Sequence, residues 1–234
     1  MKNLLLNAVI LLAGSGLVAQ AGPADDVNAG IQKLAGEASY TWRQTVIVPD
    51  DSRFKPGPSE GKTADGLTWL KLSIRNNSIQ MFIKGTNIVV ADPDPDGGWE
   101  TLADFESNDN QGPGRFLGAM ARNFKLPAAQ AADLVADCAD LEETNGVLAS
   151  ALTPDGAKKL LTFRRGGSAT VSNPSGSAQF WVKDGELTKF EFHVKGDVTF
   201  NDNDVTIDRD TTVEISDAGT TKIDVPSDAK KLLP

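Results

Sequence analysis

The chain has 234 residues with one His, one Cys, 23 basic and 32 acidic side chains, and a net charge of −9. One histidine and one cysteine exclude Cys₄, Cys₂His₂ and His₃ metal sites, CxxC redox pairs and internal disulfides. The acidic balance repels a phosphate backbone, so no nucleic acid is expected as a partner, and no motif implies a cofactor.

Met1-Lys2-Asn3 supplies a short positive start, Leu4 to Val18 is an apolar run, and Ala19-Gln20-Ala21 fits the small-x-small cleavage rule. Residues 1–21 therefore read as a secretory signal peptide cut after Ala21. The apolar run falls short of the ~20 residues needed to span a bilayer, and no cysteine follows it to carry a lipid. The expected product is periplasmic, acidic, not membrane-spanning, and one domain over residues 22–234.

From Asp25 to Ala35 a helical stripe runs through Val27, Ile31 and Leu34 and stops at Gly36. Ala38 to Val48 alternates as a strand, with Tyr40, Trp42, Gln44, Val46 and Val48 on one face. Residues 50–66 are rich in Pro, Gly and charge and read as a loop. Leu67 to Arg75, Ser78 to Lys84 and Asn87 to Ala91 follow as a meander, separated by Asn76-Asn77 and Gly85-Thr86, which suit tight turns. A further strand is expected from Trp99 to Phe105.

The period then changes. Pro113 precedes a helix carrying Phe116, Leu117, Met120, Ala121 and Phe124, and Pro127 opens another with Ala131, Leu134, Val135, Cys138 and Leu141 as its stripe. After a strand at Val147 to Leu152, Thr153-Pro154-Asp155 caps a helix over Gly156 to Phe163. It ends at Arg165-Gly166-Gly167. Strands are expected at Gln179 to Lys183, Leu187 to Phe200, Val205 to Ile215 and Lys222 to Val225. In the second of these Phe190, Phe192, Val194, Val198 and Phe200 share one face, and Lys189, Glu191, His193 and Lys195 the other. One-sided strands of this kind need a cover, and the helices between the strand groups provide it.

The single-residue candidates have ordinary explanations. Asp92-Pro93-Asp94-Pro95-Asp96-Gly97 matches half of a calcium loop, but position twelve is Ala103 in place of Glu, so a polar hairpin is expected. His193 falls on the charged face of its strand, without a nucleophile in sequence pattern. Cys138 falls on an apolar stripe as a small hydrophobe. Arg209 points by period with Val205, Ile207 and Val213 toward the apolar side, where it would require a carboxylate or an anionic head group. A bulge at Asp208-Arg209-Asp210 that returns it to water is the expectation.

The order of elements, with the stretches ASYTWRQTV, QMFIKGTNIVVADPD, AQFWVKDGELTKFEFHVKG and TTVEISDAGTTKIDVPSDAKKL, resembles the LolA-like superfamily of outer-membrane lipoprotein carriers and related lipid-binding lipoproteins. The resemblance implies an α+β fold, a strongly curved antiparallel half-barrel sheet covered by a helical insert around an apolar cavity that holds acyl chains. It implies a lipid or an acylated protein as partner. The wall residues expected from the apolar positions are Trp42, Leu70, Leu72, Phe82, Phe116, Met120, Phe190 and Phe192. An acyl chain needs no polar constellation, because each buried CH₂ contributes about 0.8 kcal/mol. Two other readings stay open: a module of the same fold that binds another envelope protein, and a hydrolase using two carboxylates.

Overall fold

The structure is a computed structural model that describes residues 22–233 except 53–54, 75–76, 93–96, 109–113, 163–168 and 201–202. The expected signal peptide, the expected Arg165-Gly166-Gly167 stop and the inner half of the calcium-like loop lie outside the described residues, as do the side chains of Phe116 and Phe200.

Among the described residues the fold is α+β, built on one antiparallel sheet of eleven strands that does not close into a barrel. The strands are β1 (Ser39–Ile47), β2 (Ser59–Ala64), β3 (Leu67–Ile74), β4 (Asn77–Lys84), β5 (Asn87–Ala91), β6 (Trp99–Thr101), β7 (Glu142–Thr144), β8 (Val147–Ala151), β9 (Thr170–Lys183), β10 (Glu186–Phe200) and β11 (Asn203–Ser216). Their order is β6-β5-β4-β3-β2-β1-β11-β10-β9-β8-β7. Two meanders of sequential neighbours therefore meet at one seam, β1 against β11, in register from Thr41↔Ser216 to Ile47↔Asp210. The helices are α1 (Pro23–Gly36), α2 (Leu102–Asn108), α3 (Gly114–Arg122), α4 (Pro127–Ala136), α5 (Pro154–Thr162) and α6 (Ser227–Leu232).

Local chemistry accounts for where the structure departs from expectation. β2 occupies part of the expected loop. Its Gly61 lies opposite Trp42, and a methyl group there would overlap the indole, so the strand carries no inward apolar residue to announce it. The expected strand from Trp99 to Phe105 stops at Thr101. There the Thr101 hydroxyl accepts from the Asp104 N–H at 3.2 Å and donates to its carboxylate at 2.6 Å, which caps α2. Leu102 and Phe105, three apart on that helix, are both buried. α4 ends at Ala136, so Cys138 is off the helix and sits in a β-bridge with Leu152. β9 starts nine residues before its expected position at Gln179, over a polar stretch whose Pro174 lies at a register shift against β10. Residues 222–225 belong to no strand, and α6 follows them.

The two faces of the sheet are covered differently. The inner face carries the main core: α1 packs on β9, β10 and α4, and α5 on β9 and β10. Val27, Ile31 and Leu34 of α1, Leu117 and Ala121 of α3, Ala131 and Leu134 of α4, and Ala157 and Leu161 of α5 all join it. The outer face is bare and charged over β10 and β11, but over β3–β6 it holds a second cluster. Phe82, Val89 and Ala229 are buried there, packed with Leu67, Trp69, Trp99, Ile223, Val225 and Leu233. The carboxyl-terminal segment is thus a strap across the back of the first meander.

Candidate functional site

The inner face is laid out in rows by strand register. One row reads Val90, Met81, Leu70, Gly61, Trp42, Ile215. The next reads Ile79, Leu72, Ser59, Gln44, Val213, Phe190, Phe180, Leu148 and crosses eight strands. A third reads Val46, Thr211, Phe192, Ala178, Ser150.

These rows sort the expected wall residues. Trp42, Leu70 and Phe190 are buried members of the main core, and Phe190 has no exposed surface at all. Leu72, Met120 and Phe192 are half-buried and pack against that core. Phe82 is not on the inner face: it lies in the second cluster, its ring 5.0 Å from that of Trp99. Along β4 the inward residues are Ile79 and Met81, so Phe82 must point the other way. The structure brings Trp42, Leu70, Leu72, Met120, Phe190 and Phe192 to one core and leaves Phe82 behind the sheet.

The centre of the inner face is filled by the protein's own side chains. Trp42 stacks on Phe124 at 6.0 Å and lies 5.8 Å from Tyr40. Tyr40 is 2% exposed, and its hydroxyl faces the N–H of Ala128 at the start of α4 without a hydrogen bond of ordinary geometry. Burial pushes this phenol up to about 12. Toward the other end the cover thins over β11 alone, for Val194 and Val198 on β10 stay fully buried. On β11 the inward row passes from buried Val213 and Thr211 through half-buried Arg209 and Ile207 to Val205 at 40% exposed.

Arg209 does not sit on a bulge. Its pairing continues without a shift through His193↔Asp210, Val194↔Arg209 and Lys195↔Asp208, so the expected return to water is overturned. Its Nη2 donates to the Leu160 carbonyl in the last turn of α5 at 2.8 Å, so a cation meets the negative end of a helix. The acids on either side made a bulge look natural, but continuous register with β10 leaves no extra residue to form one.

His193 lies on the outer face as expected. Its Nδ1 is 2.9 Å from Asp210 and its Nε2 3.6 Å from Asp208, which also takes Lys195 at 2.9 Å. Burial pushes the half-buried Cys138 thiol up to about 11, which leaves it a poor nucleophile. Asp92 donates its N–H to the Gly98 carbonyl at 3.0 Å, closing the hairpin between β5 and β6. Among the described residues no group of three or more His, Cys, Asp or Glu could hold a metal ion. None of the described helices is long and apolar enough to cross a membrane. Two shallow clefts of about 260 and 480 Å³ flank the β9–β10 turn and the β7–β9 face, and neither touches an expected wall residue.

No protein-family model matches the chain, and no curated protein matches it in sequence. Solved structures resemble it, two of them as follows. The lipoprotein LppX of Mycobacterium tuberculosis aligns with a TM-score of 0.46 and 9% identity over 86% of this chain and 97% of its own. LprF of Mycobacterium bovis aligns with a TM-score of 0.46 and 9% identity over 88% of this chain and 97% of its own. At this level of similarity the functional weight falls on the chain's own geometry. The open antiparallel sheet and the helices over its inner face, which the LolA-like resemblance implies, are both present.

Proposed function

We infer that this is an exported protein that binds an acyl chain, from a lipid or an acylated partner, on the inner face of its sheet. The observation that carries the reading is the gradient along that face. It is sealed around Trp42 and Phe190 and, along β10, at Val194 and Val198, half-covered at Leu72, Met120, Phe192 and Ile207, and open on β11 at Val205. Apolar side chains that remain partly wet in a row continuous with the core offer unfilled burial, and hydrocarbon is the chemistry that fills it. Because the central rows are already occupied, the guest's place is the open end and not a chamber in the middle. Export rests on the amino-terminal signal pattern, with the periplasm as the compartment.

The test is equilibrium binding of a radiolabelled fatty acid to the purified protein, with mass spectrometry of lipids extracted after gentle purification. Saturable binding is expected, and Phe192→Ser with Ile207→Ser weakens it by about tenfold, the equivalent of burying one or two methylenes fewer. Glu191→Gln, on the outer face, leaves it unchanged. Absence of saturable binding and of co-purified lipid ends the reading.

A further inference from the structure

Two adjacent positions interrupt the apolar row that crosses eight strands of the inner face: Ser59 on β2 and Gln44 on β1, which lie opposite each other. On its other side Gln44 lies opposite fully buried Val213, and Thr211 is the next inward residue along β11. Ser59 and Gln44 are half-buried and Thr211 is 3% exposed. Among the described residues none of these three side chains hydrogen-bonds another protein group, and none of their polar atoms is shut off from open space. They mark the edge of the sealed centre, for beyond them come half-buried Val46 and Ile207 and then exposed Val205. Water serves such groups while the face is wet. Hydrocarbon laid over them cannot, and a covered polar group costs free energy until something bonds it. An acyl guest has to bring polar atoms of its own to this spot.

A carboxamide and two hydroxyls offer donors and acceptors together and no formal charge. The inward positions of β1, β2 and β3 hold no acid or base, and Arg209, the only basic residue of β11, is engaged at the last turn of α5. The net charge of −9 further disfavours an anionic head. An ester by itself brings only acceptors and leaves the Gln44 carbonyl unmatched, whereas an ester beside free hydroxyls matches both halves of the set. Resting on the acyl-binding reading above, we propose that Ser59, Gln44 and Thr211 hydrogen-bond the uncharged glycerol head of a single-chain acylglycerol whose hydrocarbon lies over Val46 and Ile207 toward Val205. The path keeps to β1 and β11, since β10 is sealed at Val194 and Val198. From Thr211 to Val205 the strand advances about 20 Å, the reach of an extended acyl chain.

Equilibrium binding of labelled monoolein, methyl oleate and oleate to the full chain tests this, because the three share one hydrocarbon and differ in the head. Monoolein is expected to bind about tenfold more tightly than methyl oleate, the worth of one or two hydrogen bonds, and more tightly than oleate. Gln44→Leu, which removes the polar atoms, abolishes the preference for monoolein over methyl oleate. Thr211→Val weakens that preference, and Thr211→Ser, which keeps the hydroxyl, retains it. Equal binding of monoolein and methyl oleate by the wild-type chain overturns the proposal without need of a variant. So does tighter binding of oleate than of monoolein, or a preference for monoolein that survives in folded Gln44→Leu. Binding of all three alike sinks only this inference; failure to bind any of them sinks the acyl-binding reading with it.

Discussion

The two meanders that form the sheet solve the same problem in different ways. In β9–β11 one face is packed under α1 and α5 and the other is a lattice of charges, Lys189 with Glu191 at 2.7 Å and Lys195 with Asp208 at 2.9 Å. In β3–β5 both faces are buried, the inner against the main core and the outer beneath the carboxyl-terminal strap, so that Ile88, Val89 and Val90 are three buried residues in succession. The difference teaches that an apolar residue in this fold announces burial but not the side on which it is buried. Phe82 and Met81 are adjacent, equally hidden, and belong to different cores.

The largest test of that contrast is to remove what the first meander has and the second lacks. Phe82→Ala is expected to cost about 3–5 kcal/mol in denaturant unfolding, because the ring is buried between Trp99 and the strap and the site can collapse only in part. A cost below ~1 kcal/mol would mean that the outer cluster is not a second core. Gly61→Ala probes the inner face of the same meander: the added methyl must displace the Trp42 ring, at a cost of about 2–3 kcal/mol, visible as a lowered midpoint and altered tryptophan emission.

Tyr40 gives an effect of similar size that appears only in alkali. Its pKa is raised from 10.0 to about 12, so its contribution is complete below pH 10 and is lost as pH rises toward 12, when the unfolded chain ionises first. About 2–3 kcal/mol is at stake, and Tyr40→Phe should not show this loss. Because the chain has one tyrosine, ultraviolet titration of phenolate reads this residue alone. A midpoint near 10 in the folded protein would show the ring to be solvated. The smallest effect belongs to the charged face of the second meander. His193→Gln should change stability by less than ~1 kcal/mol at neutral pH, because its ion pairs are largely exposed. A larger loss would mean that the outer face of β10 and β11 is structural and not simply wet.

The same contrast explains what the amino-acid pattern could carry. β10 and β11 were legible because water on one side and core on the other impose period two on their residues. In NIVVA that period vanishes, and the wall assignment of Phe82 failed for the same reason: periodicity ranks a side chain as inward only when the outward side is wet. β2 was hidden because its inward position is glycine, chosen to admit a ring from the neighbouring strand. Residues 222–225 alternate like a strand, yet Ile223 and Val225 pack on the outer cluster and belong to no strand. Arg209 was legible by period and misjudged by its neighbours: the pull of two acids toward water is weaker than hydrogen bonding to β10 in unbroken register.

Among the described residues every strand pairing but one joins neighbouring strands in the chain; the exception is β1 with β11, the first strand with the last. Each meander can thus assemble from local hairpins, and closing the largest loop falls to a single ladder. Cutting the polypeptide in the helical stretch between β6 and β7 severs no ladder. Two such fragments keep every local pairing within one piece or the other, and restoring the fold takes the ladder from Thr41 to Ile47 together with the docking of α1 on β9 and β10 and of the carboxyl-terminal strap on the first meander.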